Sequence, residues 1–220
     1  MFRALTIARE YGSGASVIAR RVADKLGWEL LDQKLIWEIA WAAQVDIETA
    51  IRYDERADSW WHCFHRSCAQ ALCLAAGAPT GDDLFFDARM MVGFAKRVIA
   101  ESAAKGNCVI VGRGAECVLQ NRSDVLHAFI YGPWEERALR IGRRLQSWED
   151  VPELLRVTDT ERANYIHTFY GCDWKDPHLY HMMISSQIGS EAVASQIVDA
   201  IHGSRTRKRA CESRFSDFFS

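Results

Sequence analysis

Apolar positions along this chain alternate between two spacings, and the alternation predicts the fold. A short apolar run over residues 3–8, carried by Leu5, Ile7 and Ala8, has the length and character of a strand. A glycine-containing turn follows, and then Ile18, Val22 and Leu26 recur every four residues, which predicts a helix over 15–26 stopped by Gly27. Trp28, Leu30 and Leu31 make a short second strand. Asp32 is placed to cap a helix over 33–43, whose Leu35, Ile36, Ile39 and Ala40 share one face. Strand, helix, strand, helix is the repeat that builds a parallel sheet covered by helices.

The rhythm then changes. Residues 46–106 carry helical periodicity only, in segments near 46–54, 59–76 and 84–104, interrupted by the turn-forming stretch 77–83. Sixty such residues exceed what one crossover needs, so an inserted helical lobe is expected over about 46–106. Alternation returns at Cys108-Val109-Ile110-Val111, an unbroken apolar strand of the kind buried on both faces, ending in Gly112-Arg113-Gly114. A strand over 125–131 leads through Gly132-Pro133 into an arginine-rich helix over 134–145, with proline suited to the first helical position. A helix reaching about residue 168, a strand over 181–185 and a helix over 191–201 complete the pattern. Residues 203–220, with the basic run Arg205 to Arg209 and then Phe215, Phe218 and Phe219, are expected to form a flexible tail behind one domain of residues 1–202.

Composition narrows the class. The 220 residues are 49% hydrophobic and 25% charged, the balance of a soluble globular chain. A net charge of −2 gives no overall attraction to nucleic acid or anionic membrane, so an anion site must be a local cluster. The seven cysteines show no paired spacing, which fits thiols in a reducing cytoplasm. No stretch approaches 18 uninterrupted apolar residues, and the N-terminal apolar run is too short for a signal peptide; a cytoplasmic protein is expected.

The candidate chemistry starts in the first turn, Arg9-Glu10-Tyr11-Gly12-Ser13-Gly14-Ala15-Ser16. Between a strand and a helix, such a turn exposes backbone N–H groups and points a helix N-terminus at phosphate. It nearly matches G-x-x-x-x-G-K-[ST], keeping the hydroxyl at Ser16 but replacing the lysine by Ala15 and the first glycine by Arg9. Arginines supply the other half of a phosphate site. Arg113 follows a buried-type strand at the edge where open parallel sheets bind ligands. Arg137, Arg140 and Arg144 share a helix face, with Arg162 on the next helix. The plainer alternative is a solvated helix face paired with Glu135, Glu136 and Glu161; likewise Gly12–Gly14 and Arg113 could be ordinary turns and Asp32 only a cap. His62, Cys63, His65 and Cys68 invite a zinc reading, but their helical, tryptophan-rich setting favours core packing. Trp37 and Trp41 favour core or lobe packing in the same way.

Taken in order, Ile7 to Gly14, Gly27-Trp28 leading to Leu31-Asp32, Val109 to Gly114, Asp159, Arg162, Tyr165, Phe169 to Trp174 and Asp176 to Tyr180 resemble the cytidylate kinase-like family of P-loop nucleoside monophosphate kinases. That resemblance implies a three-layer α/β/α fold with a five-stranded parallel sheet, an acceptor-binding helical lobe, and an arginine-bearing lid over about 137–165. It implies ATP as phosphoryl donor, its phosphates held by Tyr11, Gly12, Ser13, Gly14, Ala15 and Ser16, and Mg2+ held with help from Ser16. Arg140, Arg144 and Arg162 are the implied catalytic cations, and Arg9, reaching over the loop, is a further catalytic candidate that could do the absent lysine's work. Asp32 and Arg113 are the implied acceptor contacts. The chain departs from true cytidylate kinases at Ala15 and at Gly114, where an acidic residue is usual, and from its own branch at Ser185-Ser186, where Asn-Thr is usual. Nucleotide substrates are the implied partners, with neither nucleic acid nor membrane expected. The function so implied is phosphoryl transfer to a nucleoside monophosphate, with CMP or dCMP favoured; a non-catalytic nucleotide-binding module and a kinase of another small acceptor remain open.

Overall fold

The structure, a computed structural model, describes residues 1–32 and 82–216, with side chains over 1–32 and 92–203. The expected helices at 33–43, 46–54 and 59–76, the His62–Cys68 cluster, and Trp37 and Trp41 all lie outside the described residues.

Five parallel strands form one sheet in the order β2-β3-β1-β4-β5. They are β1 (Ala4–Arg9), β2 (Glu29–Leu31), β3 (Cys108–Val111), β4 (Val125–Tyr131) and β5 (Met182–Ser185). The central strand β1 pairs with β3 on one side and β4 on the other, so Leu5 stands beside both Val109 and Leu126. Side chains alternate across this sheet, and both faces are covered. Leu5, Ile7, Val109, Val111, Leu126 and Ile130 pack against α1 (Ala15–Leu26) and α6 (Ser190–Ser216) through Ile18, Val22, Ile197 and Ile201. On the opposite face, Ala4, Ile110 and Val125 meet Val98, Ile99 and Ala103 of α2 (Asp82–Lys105). Farther along that face, Ala8 and Phe129 are covered by Tyr165 and Ile166 of α5 (Val151–Tyr170), with Trp174 and Tyr180. Burying this much apolar surface on both faces is the main stabilising term of such a sheet.

The expected strands and, apart from the last one, the described helices therefore form within a residue or two of their predicted bounds. A one-turn helix α3 (Ala115–Val118) after β3 is additional, and α6 runs to Ser216 although its apolar pattern stops at Ile201. Helix α4 (Trp134–Leu145) follows β4 where expected, but Pro133 is its N-cap (φ −54°, ψ 142°) and not its first helical residue. The strand order reverses around β1, which brings the turns after β1 and β3 together at the C-terminal edge of the sheet. No described helix is long and apolar enough to cross a membrane.

Candidate functional site

The turn from β1 into α1 is held from behind by buried charges. Arg137 of α4 donates to the Tyr11 carbonyl at 3.0 Å and to Asp159 Oδ2 at 2.6 Å, while Asp159 Oδ1 accepts from the Tyr11 amide at 2.8 Å. Glu10 lies 3.6 Å from the same guanidinium, accepts from the Gly132 amide, and meets Lys175 at 2.7 Å. Gly12 has φ +75°, and a Cβ there would stand 3.0 Å from both the Arg137 carbonyl and Ile141, so only glycine lets α4 approach this closely. The turn is thus a rigid cradle clamped between α4 and α5.

Its open side suits an oxyanion. Helix α1 begins without a side-chain cap, and the first-turn amides of Ala15 and Ser16 have no intrahelical acceptor. Gly14, in the left-handed conformation, has no atom within 4 Å of its missing Cβ. The Ser13 hydroxyl is buried without a hydrogen-bond partner among the described residues. Donors of this kind at a helix N-terminus fit phosphate oxygens. Ser16 is exposed in the first turn, where its hydroxyl can reach a metal ion carried by the phosphates; no cluster of three His, Cys, Asp or Glu suited to a metal occurs among the described residues. Ala15 is packed into the core with Ile18 and Ala19.

The arginines expected to act together separate into three groups. Arg137 is 5% exposed and committed to Glu10, Asp159 and the loop backbone, so it is a structural anchor of the loop. Arg140 and Arg144 stand over the loop. Arg140 donates to the Gly12 carbonyl and to Ser186 Oγ, each at 3.2 Å, and pairs with Glu136 at 2.9 Å. Arg144 donates to the Tyr11 hydroxyl and lies over the Tyr11 ring. The Glu136 contact is the one the solvated-face alternative anticipated.

The third group lies between the tips of β1 and β3, with Arg113 and Arg162 buried and Arg9 half-buried. Arg9 leaves the end of β1 and lays its guanidinium over Gly112, whose missing side chain makes the room. Arg162 of α5 donates to the Arg9 carbonyl at 3.0 Å and lies 5.6 Å from the centroid of the Tyr11 ring. Arg113 adopts φ 64°, a costly conformation for a residue other than glycine and one concentrated at functional sites. Burial pulls Arg113 down to about 9; Tyr165 and Asp32 oppose the shift and Arg9 adds to it. Asp32 is therefore close enough to Arg113 to be felt. The three arginines line a cavity of about 20 Å³ with Glu116, Ile166 and Trp174. Glu116, on α3, is 1% exposed, and burial pushes its carboxyl up to about 7 despite its own backbone hydrogen bond and the attraction of Arg9. Its Oε2 has no hydrogen-bond partner among the described residues.

Lys175 and Glu116 carry no motif that marks them in the sequence, whereas Glu10 lies within the quoted Ile7 to Gly14 pattern. Asp159 and Trp174 belong to the quoted family pattern, which was a usable signal for both. Arg9 was expected over the loop; its guanidinium is at Gly112 instead, bordering the cavity.

Comparisons with known proteins agree with this architecture. The model of the cytidylate kinase-like family matches residues 4–188. No curated protein matches the chain. Among solved structures, an uncharacterized protein from Eubacterium ventriosum aligns over 92% of this chain and 99% of its own, with a TM-score of 0.64 and 18% identity. Shikimate kinase from Acinetobacter baumannii, in complex with shikimate, aligns over 93% and 95% with a TM-score of 0.51 and 17% identity. Shikimate kinase from Bacteroides thetaiotaomicron aligns over 90% and 98% with a TM-score of 0.51 and 13% identity. At these identities the structural likeness establishes the P-loop kinase fold and no more.

Proposed function

The chain belongs to the cytidylate kinase-like family, and from that membership we propose that it transfers a phosphoryl group from ATP to a nucleoside monophosphate, CMP and dCMP first among the acceptors. The observation that carries the reading is the pairing of an uncapped α1 N-terminus with a cavity lined by the buried Arg113 and Arg162 and the half-buried Arg9 at the same sheet edge. Phosphoryl transfer asks little of a protein beyond positioning and positive charge, and these two features supply both.

The amides of Gly14, Ala15 and Ser16 and the Ser13 hydroxyl hold the donor phosphates. Arg140 and Arg144 neutralise them from α4. Mg2+, held by the phosphates and Ser16, screens their charge when bound. Arg113 and Arg162 hold the acceptor's anionic group, with Asp32 orienting Arg113. Arg9 begins the loop and ends at the acceptor cavity, so it replaces the loop lysine at the junction between the two substrates rather than over the loop itself. An acceptor that is already a phosphate needs no strong side-chain base, which agrees with the absence of a Ser-His or Cys-His pair in this group.

Coupled turnover assays with ATP and Mg2+ across a panel of monophosphates test the proposal. Turnover with CMP or dCMP supports it. Nucleotide binding without turnover would instead assign a non-catalytic module, and turnover only with another acceptor would move the substrate. Arg9→Ala is expected to lower turnover; unchanged turnover and ATP affinity would remove Arg9 from the mechanism.

A further inference from the structure

We propose that the cavity beside Arg9, Arg113 and Arg162 is a phosphate site selective for a phosphoryl group that carries a proton, and that Glu116 imposes this choice by accepting the hydrogen bond from that P–OH. The inference rests on the acceptor site described above and adds its ionisation state and its discriminating residue.

Three guanidiniums alone do not distinguish phosphate from sulfate, since both present tetrahedral oxygens of similar size. Glu116 does. Its carboxyl is almost wholly buried beside the cavity, and Oε2 has no partner among the described residues. An ionised carboxylate only accepts hydrogen bonds. Facing a bare oxyanion, it sets two acceptors and two negative charges against each other in a poorly solvated space. Facing P–OH, it gains a charge-assisted hydrogen bond. A site built to pair with a hydroxyl rejects an analogue that lacks one far more strongly than an apolar pocket rejects a missing methylene.

Charge matching favours the same arrangement. Glu116 titrates at about 7, and a phosphate monoester loses its second proton near 6. One proton between the two oxygens therefore rests on either at little cost. Among the described residues, the charged groups at the cavity with Glu116 are Arg9 from β1, Arg113 after β3 and Arg162 from α5, with Asp32 after β2 acting on Arg113 and Lys96 of α2 on Cys117. Its other titratable neighbours, Cys117, Tyr170 and Tyr180, are pushed up by burial and stay neutral near pH 7. Glu116 is then the group whose charge changes there.

The test is calorimetric titration of the full chain with inorganic phosphate and with inorganic sulfate, at matched ionic strength and on both sides of pH 7, without ATP. At about pH 8 the wild-type chain is expected to bind phosphate at least about tenfold tighter than sulfate. Sulfate should gain on phosphate at about pH 6, where a protonated Glu116 can donate to it. Glu116→Gln, whose amide donates at any pH, should bring the two anions to similar affinity, and Glu116→Asp should retain the preference. Equal wild-type binding of the two anions at about pH 8, binding of neither, or an unaltered preference in a cooperatively melting Glu116→Gln would overturn the proposal. The wild-type ratio and its pH dependence decide the matter even if a variant fails to fold. These readouts need no turnover. Turnover on CMP with no anion preference discards only the role of Glu116, while anion selectivity without turnover discards the kinase reading.

Discussion

Two arginine clusters flank the same loop, and they differ in what surrounds them. Arg140 and Arg144 are at least partly exposed, reach the loop from one helix, and are satisfied by loop atoms and Glu136. Arg113 and Arg162 are buried, and with Arg9 they come from three separate elements and enclose a cavity with a single carboxyl. Solvent screens the first pair, so each charge is worth little until a ligand excludes water. The second group has surrendered its hydration already, and an anion entering the cavity meets charges in a low-dielectric space. The exposed cluster can therefore bind and release, whereas the buried one is preorganised.

That contrast is breakable in several ways. The largest effect is expected from Arg137, which belongs to neither cluster. Arg137→Ala takes the buried guanidinium from Asp159, while Glu10 keeps Lys175, and should cost about 3–5 kcal/mol in chemical denaturation. A loss under about 1 kcal/mol would mean that the anchor is replaceable. Next, Arg113→Met should reduce kcat/KM by about 10²–10³, the usual range for one preorganised electrostatic donor, while leaving ATP affinity intact. An equal loss in ATP affinity would merge the two clusters into one site.

Glu116 comes third, through pH. Its folded-state value, about 7, lies above the ordinary 4.5, so the unfolded chain gives up its proton first as pH rises. Glu116 therefore destabilises the fold progressively from about pH 4.5 to 7, by up to about 3 kcal/mol. Glu116→Gln should be increasingly more stable than wild type across that window in melts at successive pH values. A constant difference would show the carboxyl to be ordinary. The smallest effect is expected for Arg140→Ala: roughly a tenfold rise in KM for ATP, weaker at high salt, with no change in melting temperature. A large loss of stability there would remove the distinction between exposed and buried clusters.

Much of the fold was legible because its signals are local. The unbroken apolar run at 108–111 needs burial on both faces, the four-residue recurrence of Ile18, Val22 and Leu26 needs a helix, and Pro133 and Gly171 mark ends by their own backbone preferences. The glycine turn was legible for the same reason, since its place between strand and helix follows from chain order. The roles of the arginines were not. Helical spacing puts Arg137, Arg140 and Arg144 on one face, but whether a guanidinium there meets solvent, the loop or a buried carboxylate depends on Glu10 and Asp159, distant along the chain. Arg9 illustrates the same limit, because its direction depends on the space that Gly112 leaves on a neighbouring strand.

The sequence by itself determined the alternation of strands and helices, the phosphate-type turn after β1 and the supply of arginines, all of which depend on neighbours within a few residues. Tertiary structure alone decided which arginine anchors, which faces the loop and which lines the cavity. It also decided that Glu116, unremarkable in its tetrapeptide helix, is a buried carboxyl beside three guanidiniums, one of its oxygens having no hydrogen-bond partner among the described residues. Burial and pairing are properties of the space between elements, and parallel strands bring that space together from residues about a hundred positions apart.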